Sequence, residues 1–189
     1  MDMSFIPNTK IALVRGVLSE GDCLTLVSGI NSHRSLGMEF HFTEMTEESG
    51  RDFWRDKNTF LNDLGGVYQT ILDNMEVKKE AAFTQYLLEI GDQEKYAYQK
   101  FAAAHSWDVG TSMYEHVDQY SGDSNIRYGF VLYLNSDFEG GEIYYPEYGI
   151  DVKPEPGLLV IHSGDIRHGV REITKGIRHN MTSFALALD

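Results

Sequence analysis

The sequence contains a single cysteine, only four prolines and no long apolar run. One cysteine, Cys23, cannot form an internal disulfide, so a disulfide-stapled scaffold is excluded and nothing points to an oxidising compartment. Four prolines against 18 glycines favour turn-rich β structure over disorder. A membrane-spanning helix needs about 20 consecutive apolar residues, and no stretch approaches that length. The first residues lack the basic start and apolar run of a signal peptide, so we expect a cytoplasmic protein without membrane partners.

Positive charge is also scarce, since 16 Lys and Arg face 29 Asp and Glu and give a formal net charge of −13. The average field of such a protein repels a nucleic-acid backbone, so nucleic acid is not an expected partner. A solvated acidic surface that aids solubility explains this charge. A second interpretation is that the field attracts a cationic substrate.

The character of the sequence changes once, near residue 95. Before that point, apolar residues recur at helical spacing; after it, short apolar runs alternate with turn signals such as Glu139-Gly140-Gly141 and Ser163-Gly164-Asp165. Strands at this regular spacing are typical of a β-sandwich or barrel. We therefore expect one domain, 1–189, with helical support at about 17–95 and a β core at about 96–189.

Three helices are expected in the first half. The first begins after Ser19, because Ser19-Glu20-Gly21-Asp22 has the Ser-x-x-acid pattern of a capped helix start. Its buried stripe is predicted at Leu24, Val27 and Ile30, which follow one another at three-residue steps. A third helix is predicted at about Lys78 to Ile90. The second, at about Phe53 to Met75, has an apolar face formed by Phe60, Leu64, Val67, Ile71 and Met75.

A candidate metal site lies in the β half. In His116-Val117-Asp118, residues i and i+2 of a strand point to the same face, so the imidazole and the carboxylate converge. His168 follows 52 residues later, at the start of another predicted strand. Two imidazoles and one carboxylate that leave three positions open form the arrangement of non-haem Fe(II) oxygenases. Zinc enzymes also use three protein ligands, and His-x-Asp pairs are common at surfaces, so both alternatives stay open.

Arg178 lies ten residues after His168. With His168 opening one strand, a residue ten further on is expected on the neighbouring antiparallel strand, deep in the barrel. A buried arginine is costly unless a carboxylate meets it, which makes Arg178 a candidate carboxylate anchor. The alternative is a solvent-facing arginine in a β-hairpin.

Several further short matches accompany the metal motif in a fixed order. They are Trp107-Asp108-Val109-Gly110, His116-Val117-Asp118, Arg127, Tyr133-Leu134-Asn135, Gly140-Gly141-Glu142, Val152-Lys153-Pro154, Pro156-Gly157, His168-Gly169-Val170 and Gly176-Ile177-Arg178. Together they resemble the prolyl 4-hydroxylase-like branch of the 2-oxoglutarate- and Fe(II)-dependent oxygenases. The resemblance is dense over about residues 107–186 and faint over the N-terminal third.

This resemblance implies a double-stranded β-helix, a jelly-roll or cupin-like fold, in which His116, Asp118 and His168 hold Fe(II). It also implies that Arg178 anchors the co-substrate 2-oxoglutarate and that Tyr133 is a hydroxyl partner of the same carboxylate; the alternative for Tyr133 is an ordinary core aromatic. Fe(II), Asp118 and 2-oxoglutarate together carry one negative charge, which Arg178 would neutralise with a bidentate fork. Such enzymes use O2, with ascorbate as an accessory reductant, to hydroxylate an unactivated C–H bond.

Departures from the pattern leave the substrate open. Trp107 stands where the family usually has tyrosine, and residues 34–95 carry no prolyl-hydroxylase motif. The substrate could be peptidyl proline, another amino-acid side chain, a free amino acid or a small molecule, and the oligomeric state is not predicted. Two other functions remain as alternatives. One is oxidative demethylation of alkylated nucleic acid, against which stand the charge and Phe184 in place of a second arginine; the other is a non-catalytic β-helix binding module.

Three other histidines belong to the β half of the sequence, namely His105, His162 and His179. His162, within an apolar run, is expected to be a satisfied core histidine or a neighbour of the metal ligands. His179 directly follows Arg178, so its side chain should face away from the site. His105 is expected to pack against Trp107 or to lie at the rim of the pocket.

Overall fold

The computed structural model describes residues 1–35, 40–41, 56–60, 66–101, 103–119 and 125–188. Two helices and fifteen strands occur in these ranges. In chain order they are β1 Asp2–Phe5, β2 Ile11–Arg15, α1 Glu20–Ser35, β3 Phe40–His41, β4 Asp56–Phe60, α2 Gly66–Ile90, β5 Tyr96–Tyr98, β6 Ala103–Trp107, β7 Met113–His116, β8 Ile126–Tyr133, β9 Glu139–Gly140, β10 Ile143–Tyr145, β11 Ile150–Val152, β12 Leu159–Ser163, β13 His168–Val170, β14 Ile173–Lys175 and β15 Arg178–Ala187.

Two antiparallel sheets face each other across the interior. The larger sheet has the order β1-β2-β12-β8-β15-β6-β4-β3, with β5 paired to β15, and the smaller has the order β11-β10-β13-β7. A two-stranded ribbon, β14-β9, completes the strand pairing. This arrangement is the jelly roll that the strand spacing and the family resemblance predicted. The larger sheet also uses β1 to β4, which precede residue 96.

The larger sheet separates two interiors because successive side chains on a strand point to opposite faces. In β15, Arg178, Asn180 and Thr182 line the cavity between the sheets. Met181, between them in sequence, belongs to the apolar core on the helix side. The two described helices pack against this outer face of the larger sheet, and the inner face lines the cavity.

Helix α1 starts where the sequence predicted. The backbone N–H of Asp22 donates to Oγ of Ser19 at 3.1 Å, and the carboxylate of Asp22 accepts from the backbone N–H of Ser19 at 3.2 Å, which forms a reciprocal cap. The predicted buried stripe was wrong at Leu24, whose side chain is 71% exposed. Ile30 is fully buried and Val27 partly buried, as predicted, and Cys23 and Leu26 take the other inward positions.

Helix α2 is one continuous helix from Gly66 to Ile90, not two. The predicted helix at about Phe53 to Met75 was wrong in its first part, because Phe60 ends strand β4. Leu64 lies outside the described residues. Within α2, Leu72 and Met75 are buried as part of the main core. In the described part of the chain, no helix is both long and apolar enough to cross a membrane.

A fully buried lysine joins helix α2 to the larger sheet. The ammonium of Lys79 lies 3.0 Å from the carboxylate of Glu76, donates to the hydroxyl of Ser183 at 3.0 Å and sits 3.7 Å from the centre of the Phe101 ring. Burial lowers the pKa of Lys79 to about 8, although Glu76 acts in the opposite direction. The lysine therefore fixes the back of β15, whose front face lines the cavity.

Candidate active site

The predicted metal ligands come together on the smaller sheet. His116 ends β7 and His168 begins β13, and the two residues are direct cross-strand partners. Asp118 follows β7 by two residues. One ligand atom from each of the three residues lies within 4.8 Å of the others. Oδ1 of Asp118 is 3.6 Å from Nε2 of His116 and 3.8 Å from Nε2 of His168, so both imidazoles face the same carboxylate oxygen.

Backbone contacts set the tautomer of the two ligand imidazoles. Nδ1 of His116 lies 3.0 Å from the carbonyl oxygen of Tyr114, and Nδ1 of His168 lies 2.9 Å from that of Ile166. A carbonyl oxygen only accepts, so each Nδ1 carries the proton and each Nε2 presents a lone pair. Two lone pairs and a carboxylate oxygen then face one point without a proton between them. This donor set fits a divalent cation, because metal-binding histidines are held through the other ring nitrogen in this way.

The electrostatics of the site favour the same protonation state, with a neutral His168 and an ionised Asp118. The pKa of His168 is lowered by burial, which keeps its imidazole neutral. Burial by itself would raise the pKa of Asp118, but the imidazoles around the carboxylate outweigh burial, and the pKa is lowered. An ionised Asp118 beside a neutral His168 is a buried negative charge that a cation would compensate.

The cavity in front of these ligands has a volume of about 280 Å³ and reaches Arg178 on the opposite wall. Arg178 opens β15 of the larger sheet, so the expectation that it lies on a strand next to that of His168 was wrong: β13 pairs with β10 and β7 only. The two residues face each other from different sheets, because the chain crosses between the sheets after β14. Arg178 is 1% exposed, which excludes a solvent-facing hairpin arginine.

Arg178 is held in place by its neighbours. Its Nη1 donates to Oδ1 of Asn180 at 2.6 Å, and its guanidinium lies 4.9 Å from the ring centre of Trp107 and 5.0 Å from that of Tyr133. Aromatic faces attract a cation, so the two rings stabilise the charge and orient the fork. Trp107, which replaces the tyrosine of the family pattern, thus forms one wall of the pocket around Arg178.

The structure places the Tyr133 side chain in the apolar core beside Arg178. The residue is fully buried, and its hydroxyl oxygen accepts the backbone N–H of Ile143 at 3.1 Å. Since the oxygen accepts in this bond, its hydrogen can be donated to a carboxylate. Both interpretations of Tyr133, as a core aromatic and as a co-substrate partner, are compatible with these contacts, and its role stays a prediction.

Sequence reasoning missed Asn180 as a site residue. Asn180 is fully buried on the cavity wall, and its Nδ2 has no hydrogen-bond partner among the described residues. An amide donor in this position is suited to an anionic ligand held by Arg178. The alternation of Arg178, Asn180 and Thr182 along one strand face was the signal that could have identified it. Thr182 is already paired, because its hydroxyl lies 2.8 Å from Nε2 of His105.

The remaining histidines differ in their relation to the cavity. His105 and His162 line it, whereas Nδ1 of His179 pairs with the hydroxyl of Ser106 at 3.0 Å on the other face of the larger sheet. His179 therefore faces away from the site, as the alternation predicted. His162 is the nearest to the metal ligands, with Nε2 3.5 Å from Oδ2 of Asp118.

Comparison with known proteins was made by family model, by sequence and by structure. No protein-family model matches the sequence. The viral collagen prolyl hydroxylase of Paramecium bursaria Chlorella virus-1, solved as a 2-oxoglutarate complex, superposes with a TM-score of 0.69 over 96% of this chain and 98% of that chain, at 15% identity. A prolyl-4-hydroxylase of Pseudomonas putida gives a TM-score of 0.69 over 96% and 95%, at 17% identity. This chain has the fold of the prolyl 4-hydroxylase-like 2-oxoglutarate/Fe(II) oxygenases.

Sequence similarity to curated proteins is confined to a short segment. Prolyl 3-hydroxylase 2 of Gallus gallus is 41% identical over 58 residues, which represent 27% of this chain and 8% of that protein. The chain thus matches less than a tenth of the length of this relative. The similarity of fold extends over 96% of this chain, and the sequence similarity is local.

Proposed function

We propose that this chain is a Fe(II)- and 2-oxoglutarate-dependent dioxygenase that hydroxylates an unactivated C–H bond of a peptidyl, amino-acid or small-molecule substrate. The observation that carries the proposal is the tautomer arrangement at the metal site. Two imidazoles present Nε2 lone pairs, and Asp118 presents a carboxylate oxygen, to one point in a buried cavity. Fe(II) and 2-oxoglutarate, when bound, supply the activation of O2 and the oxidation of the substrate.

The wall opposite the ligands supports 2-oxoglutarate as the co-substrate. Arg178 provides a fixed, buried guanidinium, and Asn180 adds an amide donor beside it. Fe(II), Asp118 and a dianionic co-substrate leave one negative charge, which Arg178 neutralises. We assign the distal carboxylate to Arg178 and Asn180, with Tyr133 as a hydroxyl donor to the same group. Most of the cavity surface between them is apolar, which lowers the local dielectric and strengthens these contacts.

The substrate class is proposed from the neighbours. Two structural neighbours and the matched relative are named as prolyl hydroxylases, which favours a peptidyl prolyl substrate over a free metabolite. Oxidative demethylation of nucleic acid is not favoured, because Phe184 lines the cavity where a second arginine would be needed and the net charge is −13. A non-catalytic binding module is not favoured either, because all three ligand side chains and Arg178 are retained. Ascorbate as a reductant stays a prediction.

The assignment is tested by spectroscopy without turnover. Anaerobic addition of Fe(II) and 2-oxoglutarate should give the visible charge-transfer band of a keto acid chelated to Fe(II), because three facial ligands leave room for a bidentate co-substrate. His168→Ala should abolish the band, and His33→Ala, on helix α1 behind the larger sheet, should not. A folded wild-type protein without the band, or an undiminished band in His168→Ala, would refute the assignment. Succinate formation with proline-containing peptides, amino acids and metabolites would then identify the substrate.

A further inference from the structure

His162 is a third imidazole at the proposed metal site. In His116 and His168 a backbone carbonyl oxygen contacts Nδ1, whereas in His162 a carboxylate oxygen lies near Nε2. It is 1% exposed and lies on β12 of the larger sheet, facing the smaller sheet. Its Nε2 is 3.5 Å from Oδ2 of Asp118, and its Nδ1 is 3.1 Å from the hydroxyl of Tyr145. The other oxygen of Asp118, Oδ1, is the one that faces His116 and His168.

These contacts determine which nitrogen of His162 carries the proton. A carboxylate only accepts, so the proton of the neutral ring is favoured on Nε2, beside Oδ2 of Asp118. The Tyr145 hydroxyl, 3.1 Å from Nδ1, can donate to this unprotonated nitrogen and so is compatible with the same tautomer. In this tautomer His162 presents an N–H to the carboxylate at 3.5 Å, whereas His116 and His168 present lone pairs.

We propose that His162 is a positioning residue whose Nε2–H holds Oδ2 of Asp118, so that the carboxylate offers only Oδ1 to the metal. The proposal rests on the proposed function, because it takes Asp118 as a metal ligand. Carboxylates that bind metals are commonly held by a hydrogen bond of this kind, and contacts that are long in the free protein shorten on loading.

The number of Asp118 oxygens that bind the metal determines how many coordination positions stay open. Two imidazoles and one carboxylate oxygen occupy three of six octahedral positions, which leaves three for the co-substrate and O2. If both oxygens of Asp118 bound the metal, only two positions would remain. Since His162 occupies Oδ2, it preserves the third position. This gives His162 a role in the chemistry without contact with substrate or co-substrate.

The neighbouring strand is adapted to this contact. Gly129 on β8 is the direct cross-strand partner of His162. A Cβ at this position would lie 2.3 Å from Nε2 of His162 and 2.7 Å from Oδ2 of Asp118, which is closer than real Cβ atoms approach. A glycine inside a buried strand normally weakens the strand, and it often marks a close approach of other groups. Here the absence of a side chain makes room for the contact between His162 and Asp118.

The first test measures the proton itself and needs no metal. Nitrogen NMR of the histidine rings in the apoprotein at neutral pH should show His162 protonated at Nε2, and His116 and His168 protonated at Nδ1. A proton on Nδ1 of His162 would overturn the proposal, because Nε2 would then carry a lone pair and act as a further ligand. This readout is independent of any enzymatic activity.

The second test compares three variants by anaerobic Fe(II) titration, with folding checked by circular dichroism. His162→Leu removes the donor and should weaken Fe(II) binding about 10- to 100-fold, the usual effect of losing such a partner. His162→Gln retains an N–H at the position of Nε2 and should restore most of the affinity. Tyr145→Phe, which only loosens the tautomer, should have a smaller effect. His179→Gln, at a buried histidine that pairs with Ser106 on the other face of the larger sheet, is the control and should bind Fe(II) as the wild type does.

The outcomes separate this proposal from the proposed function. Wild-type affinity in a folded His162→Leu protein that still gives the charge-transfer band would overturn the role of His162 and leave the oxygenase assignment intact. Equal losses in His162→Leu and His162→Gln would also overturn it, because ring packing and not the N–H would then matter. Absence of Fe(II) binding in the wild type would refute the proposed function, and the NMR result would still decide the tautomer of His162.

Discussion

Replacing Arg178 separates the contribution of charge from that of geometry at the proposed co-substrate anchor. Arg178→Lys keeps the positive charge but loses the planar fork, and Arg178→Met loses both at similar volume. In the wild-type protein the fork is fixed by Asn180 at 2.6 Å and by two aromatic faces at about 5 Å. A lysine cannot reproduce these contacts, and its ammonium meets a carboxylate as a point charge.

The expected magnitude follows from the hydrogen bonds lost. A hydrogen bond to a charged group contributes about 1.5–3 kcal/mol, so the loss of one or two should raise the KM for 2-oxoglutarate roughly tenfold to several-hundred-fold. The methionine variant should be worse than the lysine variant, because the distal carboxylate then lies against an apolar side chain with no compensating charge. The KM of the primary substrate should change little, because Arg178 does not face it in this assignment.

The assay is succinate formation as a function of 2-oxoglutarate, supported by direct anaerobic titration of the co-substrate. Arg171→Met is the matched control, because Arg171 is half-exposed on the outer face of the smaller sheet, where it pairs with Asp151 at 3.0 Å. It should leave the KM for 2-oxoglutarate unchanged. If Arg178→Met also left this KM unchanged, another basic residue would hold the co-substrate and the role given to Arg178 would be wrong.

Four further predictions concern three residues of the site and the buried lysine behind it. Tyr133→Phe should raise the KM for 2-oxoglutarate about tenfold, the effect of one lost hydroxyl, and an unchanged KM would make Tyr133 a core aromatic only. Asp118→Ala should abolish hydroxylation even where metal analysis still finds some iron, and undiminished turnover would mean that the carboxylate ligand is misassigned. Gly129→Ala should weaken Fe(II) binding, because its Cβ displaces His162; wild-type affinity would contradict this. The pKa of Lys79 is lowered to about 8 from 10.5, so the unfolded chain binds more protons between these pH values. The free energy of unfolding should therefore gain about 3 kcal/mol from this group between pH 8 and 10.5, and denaturant titrations should show the gain in the wild type but not in Lys79→Met.

Local patterns in the sequence were sufficient for much of the fold. The capped start of α1 at Ser19, the strands after residue 95 and the approach of His116 to Asp118 depend on residues close together in the chain. The wrong predictions, at Leu24 and Phe60, also come from patterns of residues close together in the chain. An α-helix has about 3.6 residues per turn, so a stripe at strict three-residue steps drifts around the helix. Cys23 therefore shares the buried face of Ile30, and Leu24 does not. Phe60 fits a helical face equally well, and only pairing with β6 makes it part of a strand.

Non-local pairing accounts for what the sequence could not predict in the site. Ten residues separate His168 from Arg178, and neither composition nor spacing says that the chain changes sheets between them. The contact of His162 with Asp118 depends on the register of β12 against β8, in which His162 lies opposite Gly129. Such a register is set by the packing of whole sheets. The family resemblance supplied the roles of the ligands, and it gave no information about this neighbour.

The division of the site between two sheets gives the ligands a mechanical role. The metal residues belong to the smaller sheet, and Arg178 belongs to the larger one. A dianion held by the metal at one end and by Arg178 at the other would therefore act as a cross-link between the two layers of the jelly roll. Any motion that separates the layers must first release it, so occupancy opposes unfolding by about 2.7 kcal/mol when the ligand is present at 100 times its Kd. The stability of the smaller sheet, which no described helix covers, would depend on this cross-link more than that of the larger sheet does.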